Sequence, residues 1–195
     1  DVIQAYRDLP NLTSHLHLPV QSGSDKILKR MKRYYKRDHF MRVVDALRDA
    51  RPDITLTTDF IVGFPDEAEE DFEKLCSFIE EVRFDRLGVF TYSEEEGTLA
   101  EALKDDIPQA VKNDRKAQIM DLQANISNEN NQLMIGKEFR VLVDDAGEKH
   151  SVGRTEFDSP EIDNIVNIDA KLEVGQFYNV KIQSANEFEL IGTQI

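Results

Sequence analysis

The first hundred residues alternate between strand-like and helix-like runs, and this alternation constrains the fold more than any other feature. Apolar, β-branched runs occur at 14–20, 54–64 and 87–92, with amphipathic helical runs between them. Parallel strands need helical crossovers, so the order predicts an α/β domain with right-handed connections. Three such units make half of a barrel. We therefore expect a further part upstream, and an open edge at 14–20 that is available for self-association.

The pattern changes after residue 107. Pro108 opens a long polar helix with a stop near Gly136, and its inner apolar stripe is predicted to contain Val111, Ile119, Leu122 and Ile126. Short strands separated by turn residues then predict an all-β, five-stranded antiparallel barrel. The chain thus divides into an α/β part at 1–107, a connecting helix at 108–133 and a barrel domain at 134–195.

Charge and cysteine content exclude several classes of function. The formal net charge of −14 disfavours sequence-independent binding to nucleic acid phosphates and favours a basic or neutral partner. One cysteine, Cys76, allows neither an internal disulfide nor an all-cysteine metal site, and we expect it to pack in a helix. No run suits a membrane helix and the start lacks a signal-peptide pattern, so we expect a cytoplasmic protein with no membrane contact.

Candidate functional residues follow from the predicted topology. A parallel barrel places its ligands at the carboxyl ends of its strands, which here are Gln21–Ser22, the segment 59–64 and Tyr92–Ser93. The run 26–37 has seven basic residues in twelve and is either a solvated helix face or a positive rim for an anionic partner. His15 and His17 share a strand face, but no third ligand is near, so a core or rim position is favoured over a metal site.

Five segments carry a resemblance to a known family. They are HLPVQSGSDKILKRMKR, TTDFIVGFPDEAEEDF, VFTYSEEEGTLA, QANIS and GRTEFDSPEID, in that order. Together they resemble the radical S-adenosylmethionine methylthiotransferases. The resemblance implies the second half of a radical SAM barrel of the TIM type, followed by a TRAM domain, which is an OB-like barrel.

The resemblance also implies cofactors. The family binds S-adenosylmethionine and two 4Fe-4S clusters, whose cysteine ligands are absent from this chain. We therefore expect the chain alone to be inactive and assign it no catalytic or metal-binding residue. The cofactor-binding residues implied for S-adenosylmethionine are Gln21, Ser22, Thr58, Asp59, Val62, Gly63 and Phe64.

The family has two branches that act on different substrates, and this chain resembles both. The RimO branch adds a methylthio group to an aspartate side chain of a small-subunit ribosomal protein, and the other branch modifies a tRNA adenosine. YSEEEGT and GRTEFDSPEID resemble the RimO branch, whereas QSGS resembles the tRNA branch. Residues 134–195 hold six basic and twelve acidic residues, a balance that repels RNA and suits a ribosomal protein. The implied substrate-binding residues are Arg154, Asp158, Glu161 and Asp163, and we expect the three acids among them to lie together on an exposed loop. A non-catalytic binding module is a further alternative.

A first prediction follows from the cysteine count. One cysteine in a helix stripe cannot replace three cluster thiolates. Anaerobic reconstitution of the chain with iron and sulfide should therefore leave no cluster absorbance after desalting. A stoichiometric cluster that survives desalting would contradict the assignment of the ligands to a segment outside this chain.

Overall fold

The computed structural model describes residues 2–95, 97, 100, 103–160 and 163–195. The α/β part contains, in chain order, α1 (Val2–Asp8), β1 (His15–His17), α2 (Asp25–Arg30), α3 (Arg37–Ala50), β2 (Thr55–Val62), α4 (Glu69–Val82) and β3 (Arg86–Thr91). The remainder contains α5 (Gln109–Gln132), β4 (Glu138–Ala146), β5 (Ser151–Arg154), β6 (Ile165–Ile168), β7 (Phe177–Ala185) and β8 (Glu189–Gln194).

The first strands form the predicted parallel sheet, in the order β1-β2-β3. His17 lies beside Thr57, and Thr57 beside Arg86, so these three side chains share one face. The strand predicted at 14–20 is shorter than expected, because β1 ends at His17 and only Gln21 rejoins the sheet, through a bridge to Phe60. Beyond β1 the described elements add no further strand, and self-association through this edge stays a prediction.

The opposite face of the sheet packs against helices around an aromatic cluster. Phe40, Phe60, Phe78 and Phe84 are all buried, with ring centroids 5.7 to 6.4 Å apart. Edge-to-face contacts of this kind add to the free energy already gained by burial. Cys76 is half-buried against this core, which confirms its predicted packing position.

The first turn of α3 is stabilised by a residue of another helix. The N-cap of α3 is Lys36, and Asp38 lies inside the first turn. Instead, the Asp25 carboxylate at the start of α2 accepts a hydrogen bond of 2.8 Å from the backbone N–H of Arg37. The carboxylate that satisfies this free N–H thus comes from another helix, which the local sequence pattern does not reveal.

The second half of the chain forms a closed barrel in the order β4-β5-β6-β8-β7. Its core consists of Val141, Val143, Val166, Ile168, Val180, Ile182 and Leu190. Four of the described strand pairs are antiparallel, but β6 and β8 run parallel, so the prediction of antiparallel pairing throughout is wrong for that pair. After β6 a long connection crosses the barrel, so β7 pairs with β4. The last strand, β8, then lies between β7 and β6 and closes the barrel. This is the Greek-key order of an OB-like barrel.

The long helix α5 packs against both halves through an unexpectedly polar face. Ile119 and Ile126 are buried as predicted, but Val111 is 38% exposed, so its place in the inner stripe is wrong. The same helix buries several polar side chains, namely Lys112, Arg115, Gln123, Ser127 and Asn131. Among the described residues no helix combines the length and apolarity needed to cross a bilayer.

Asn131 joins the helix, the sheet and the barrel. It is fully buried, and its amide nitrogen donates to Asn164 Oδ1 at 3.2 Å and to the Asn186 carbonyl at 2.6 Å. Its oxygen accepts from Asn164 Nδ2 at 2.8 Å and from Arg86 Nη2 at 3.0 Å. The bonds of Asn131 to Asn164 and to Asn186 exist only while the barrel domain is in contact with α5.

Asp158 and Asp163 lie beside this joint rather than on the exposed loop that the sequence predicted. The Thr155 hydroxyl donates to Asp158 Oδ2, and burial raises the pKa of Asp158 to about 6, although this hydrogen bond opposes the rise. The Asp163 side chain is only 4% exposed and lies 3.6 Å from His15 Nε2 of β1. The expectation of a solvent-exposed acidic cluster is therefore wrong for these two residues.

A second prediction concerns the hydrogen bonds of Asn131 that connect α5, the sheet and the barrel. Asn131→Ala leaves the buried Asn164 and two half-buried partners, Arg86 and the Asn186 carbonyl, unsatisfied, and it should lower the free energy of unfolding by roughly 2–4 kcal/mol. Asn125→Ala, at an exposed position of the same helix, is the matched control and should change it by less than about 0.5 kcal/mol. Urea titration followed by circular dichroism measures both, and equal midpoints would contradict the role of Asn131.

A third prediction concerns pH. A carboxyl whose pKa is raised in the folded state stabilises the fold below its ordinary pKa and loses this contribution as pH rises through the folded value. The wild type should therefore lose up to roughly 3 kcal/mol more stability between about pH 4 and pH 7 than Asp158→Asn, which has no titrating carboxyl. Urea titrations of both proteins across this range give the difference. An identical pH dependence would contradict the burial of Asp158.

Candidate functional site

A cavity of about 880 Å³ opens at the carboxyl ends of β2 and β3. We call it the carboxyl-end cavity. Its apolar lining consists of Met31, Ile61, Phe64, Phe90, Tyr92, Ala100 and Leu103. Basic side chains of α2 and the turn after it line the rim, namely Lys26, Lys29, Arg30, Lys32 and Arg33. An apolar pocket with a cationic rim suits a ligand that combines an aromatic ring with an anionic group.

Two aromatic rings form the wall of this cavity. Phe64 and Tyr92 meet edge to face with their centroids 5.1 Å apart, and both are buried. The Tyr92 hydroxyl donates to the carbonyl of Ala100 at 3.3 Å. Burial and the nearby Glu94 raise the pKa of Tyr92, so the phenol keeps its proton at neutral pH and can donate it in this hydrogen bond.

The turn after β2 is held by a buried ion pair. Glu67 Oε1 accepts hydrogen bonds from the Gly63 backbone N–H at 2.8 Å and from Arg115 Nη1 at 2.7 Å. Gly63 has a φ of +70°, and a Cβ atom there would lie 2.3 Å from Cγ of Lys112. A glycine is therefore required, both for the backbone conformation and for the close approach of α5.

Lys112 fixes the end of β3 in the same way. Its side chain is 2% exposed, and Nζ donates to the Tyr92 carbonyl at 3.1 Å and to Asp105 Oδ2 at 2.5 Å. Sequence reasoning missed Lys112 and Arg115 as part of the site. The available signal was their spacing, since residues 112, 115, 119, 123 and 126 lie on one helix face.

Among the seven residues predicted to bind the cofactor, only Phe64 lines the carboxyl-end cavity. Thr58 Oγ1 donates to the Leu18 carbonyl and accepts from the Val20 N–H, so it bridges the gap between β1 and β2. Ser22 accepts from the Ser24 N–H in the turn before α2.

The remaining predicted cofactor residues hold the strand ends or face elsewhere. The backbone of Gln21, at a φ of +75°, bonds Asp59 and Ile61 of β2. Val62 is buried in the core, Gly63 belongs to the turn, and Asp59 faces a second cavity. Contact between these residues and the cofactor stays a prediction.

The second cavity, of about 500 Å³, lies between the sheet and the barrel, and we call it the interdomain cleft. The sheet contributes His17, Thr57, Thr58, Asp59, Arg86, Leu87, Gly88 and Phe90. Helix α5 contributes Met120, Gln123, Ala124 and Ser127. The barrel domain contributes Ser159, Asp163, Asn164, Glu187 and Phe188. Phe90 also lines the carboxyl-end cavity, so the two cavities are adjacent.

His17 orients Asp59 in the cleft. His17 Nε2 lies 3.2 Å from Asp59 Oδ2, and its Nδ1 lies 2.9 Å from Thr57 Oγ1. A Cβ atom at Gly88 would come within 2.5 Å of Asp59 Oδ1, so the glycine provides room for the carboxylate. Within the described ranges, no three His, Cys, Asp or Glu side chains gather as metal ligands.

The residues predicted to bind the substrate are separated in the structure. Asp163 lines the interdomain cleft, and Asp158, which is half-buried, lies near Asp163. Arg154 forms an ion pair with Asp144 on the neighbouring strand β4. Glu161 lies outside the described residues. Their role in substrate binding stays a prediction.

Comparison with known proteins identifies both halves of the chain. The model of the Radical SAM superfamily matches residues 1–79, and the TRAM domain model matches residues 135–195. The chain is 45% identical over 195 residues to the ribosomal protein uS12 methylthiotransferase RimO of Flavobacterium psychrophilum, covering 98% of this chain and 45% of that protein. The proteins of the same name from Cytophaga hutchinsonii and Thermotoga maritima are 44% and 40% identical, and 45% of each is covered.

A solved structure agrees in fold. Coproporphyrinogen III oxidase (HemN) from Escherichia coli, described as a radical SAM enzyme, superposes with a TM-score of 0.53 over 66% of this chain and 30% of that chain. The sequences are 21% identical, so this likeness concerns the fold alone. The chain spans about 45% of the length of the curated relatives. With both domain models matched in order and relatives 40–45% identical along 98–100% of it, the chain is similar throughout its length to part of the radical SAM methylthiotransferases named RimO.

Proposed function

We propose that this chain is part of a radical SAM methylthiotransferase that modifies an aspartate side chain of the ribosomal protein uS12. The observation that carries the proposal is the pair of adjacent cavities of opposite charge, beside a barrel domain with an excess of acids. The relatives that match the chain end to end are named for this reaction on uS12. The division into an α/β part at 1–107, a connecting helix at 108–133 and a TRAM domain at 134–195 belongs to the proposal.

The carboxyl-end cavity fits S-adenosylmethionine. Its apolar wall, with Phe64, Tyr92 and Ile61, suits the adenine ring, and the basic rim suits the carboxylate of the methionyl part. Lys29, Lys32 and Arg33 form no ion pair with any described acid, whereas Lys26 and Arg30 pair with Asp71 and Asp66. The unpaired cations are therefore those available to an anionic group.

The residues of this chain do not fit an iron–sulfur cluster. The sequence has one cysteine, Cys76, and burial raises the pKa of its thiol, which disfavours the thiolate that binds iron. The two 4Fe-4S clusters that we assign to the whole enzyme must take their ligands from another segment. With such a cluster, bound S-adenosylmethionine supplies a 5′-deoxyadenosyl radical.

The role of this chain's own residues is to hold the cavity wall in place. Arg115 and Glu67 fix the turn that carries Phe64, and Lys112 fixes the backbone at Tyr92. These contacts are buried, so the wall is set before any ligand enters. Preorganisation of this kind lowers the entropy lost on binding.

The charge of the TRAM domain separates the two candidate substrates. Phosphate contacts need clustered Lys or Arg, but residues 134–195 have twelve acidic and six basic residues. Ribosomal proteins are rich in Lys and Arg because they bind ribosomal RNA, and they are drawn to such a surface. A tRNA substrate is the second candidate, supported by the basic run at 26–37, and a non-catalytic binding module is the third.

A fourth prediction tests the substrate. The 195-residue chain should bind labelled uS12 more tightly than labelled tRNA at low and at physiological salt. Fluorescence anisotropy gives both affinities, and circular dichroism before each titration checks that the chain is folded. Tighter binding of tRNA would contradict the choice of uS12, and binding of neither would contradict a substrate-docking role for this chain.

A further inference from the structure

The interdomain cleft differs in charge from the cavity beside it. Its described lining includes three carboxylates, from Asp59, Asp163 and Glu187, and one Lys or Arg side chain, Arg86. The carboxyl-end cavity has five Lys and Arg residues and one acid, Glu95, in its described lining. A polypeptide that carries both a basic and an acidic side chain could therefore place each in the cavity of opposite charge.

The carboxylates of the cleft, those of Asp59, Asp163 and Glu187, have no Lys or Arg partner among the described residues. Burial lowers the pKa of His15, although Asp163 opposes the shift, so a largely neutral ring leaves the Asp163 charge unbalanced. Arg86 is partly engaged elsewhere, because its two Nη atoms donate to Asn131 and to the Asp85 carbonyl, whereas its buried Nε has no hydrogen-bond partner among the described residues.

Gln123 adds a buried acceptor to the wall of the cleft. This side chain lines the cleft and is 4% exposed, and its nitrogen donates to the Phe84 carbonyl at 2.9 Å and to Ser127 Oγ at 3.0 Å. Its Oε1 has no hydrogen-bond partner among the described residues. A buried acceptor without a partner is costly, so a bound donor that reached Oε1 would remove that cost.

The apolar part of the cleft suits the stem of a long basic side chain. Phe90, Phe188 and Met120 are 56%, 64% and 38% exposed, although all three are large apolar residues. Lys and Arg bury their methylene groups along such surfaces while the charged end reaches an acid, and an aromatic face adds a cation–π attraction. The cleft thus combines an apolar wall with acidic ends.

We propose that the interdomain cleft binds a Lys or Arg side chain of uS12 close in sequence to the aspartate that is modified. Asp59 and Glu187 take the charged end of this side chain, and Phe90 and Phe188 pack along its stem. Because Phe90 lines both cavities, the neighbouring aspartate then reaches the cationic rim of the carboxyl-end cavity. This inference rests on the proposed function and adds a second point of recognition to it.

The test is a double-mutant cycle between the chain and its peptide. The probes are a labelled uS12 peptide that spans the modified aspartate and the same peptide with its Lys and Arg residues replaced by Gln. Asp59→Asn and Glu187→Gln remove charge without changing shape. Asp121→Asn on α5 and Glu173→Gln in the barrel domain make the same chemical change at exposed positions that do not line the cleft.

We expect Asp59→Asn and Glu187→Gln each to weaken binding of the natural peptide roughly fivefold to tenfold. The two control variants should stay within about twofold. Against the neutral peptide, all four variants should bind like the wild type, because the group that the cleft recognises is missing. Circular dichroism checks the fold of each variant.

The outcomes separate this inference from the proposed function. If the wild type binds uS12 and the natural peptide but the cleft variants bind equally well, the inference is wrong and the proposed function stands. If the neutral peptide binds as tightly as the natural one, the inference is also wrong. If the wild type binds neither uS12 nor the peptide, the proposed function fails and this inference fails with it.

Discussion

The buried polar face of α5 is the interaction on which the rest of the structure depends. Arg115 and Lys112 hold the turn after β2 and the end of β3, and Asn131, near the other end of the helix, holds the barrel. A helix of this length spans about 36 Å at the usual rise of 1.5 Å per residue. One rigid element thus sets both the wall of the carboxyl-end cavity and the position of the TRAM domain that flanks the cleft.

Polar contacts at these positions specify one arrangement of the domains more strongly than tight apolar packing alone would. An apolar interface can slide with little loss of free energy, whereas the Asn131–Asn164 pair and the Arg115–Glu67 pair are satisfied in one arrangement only. Separation of the barrel would leave Asn164 and the Asn186 carbonyl without their bonds to Asn131. The width of the interdomain cleft is consequently fixed by hydrogen bonds, as the proposed binding of one side chain requires.

The sequence alone predicted the parallel sheet and the barrel because both follow from hydrophobic periodicity. It misplaced the inner face of α5, because Lys112 and Arg115 count as solvated residues in any pattern analysis. The parallel pairing of β6 with β8 was also missed, since strand order depends on the path of a long connection and not on local alternation. At the site, the strand ends were found, but Gly88 and Phe188 could not be, because their roles arise only where two distant segments meet.

Under the proposed function, the two cavities together would explain how an acidic chain recognises a basic protein and still accepts an acidic target. A uniformly acidic surface would attract the proposed substrate uS12 but repel the aspartate proposed to be modified. The cleft and the barrel carry an excess of acids over bases, whereas Lys29, Lys32 and Arg33, which pair with no described acid, lie at the cavity next to Phe90. Under the proposed function, this charge pattern would both attract the whole partner and orient the residue that reacts. Net charge would govern the attraction and local geometry the orientation, so the orientation would depend on the hydrogen bonds of Asn131.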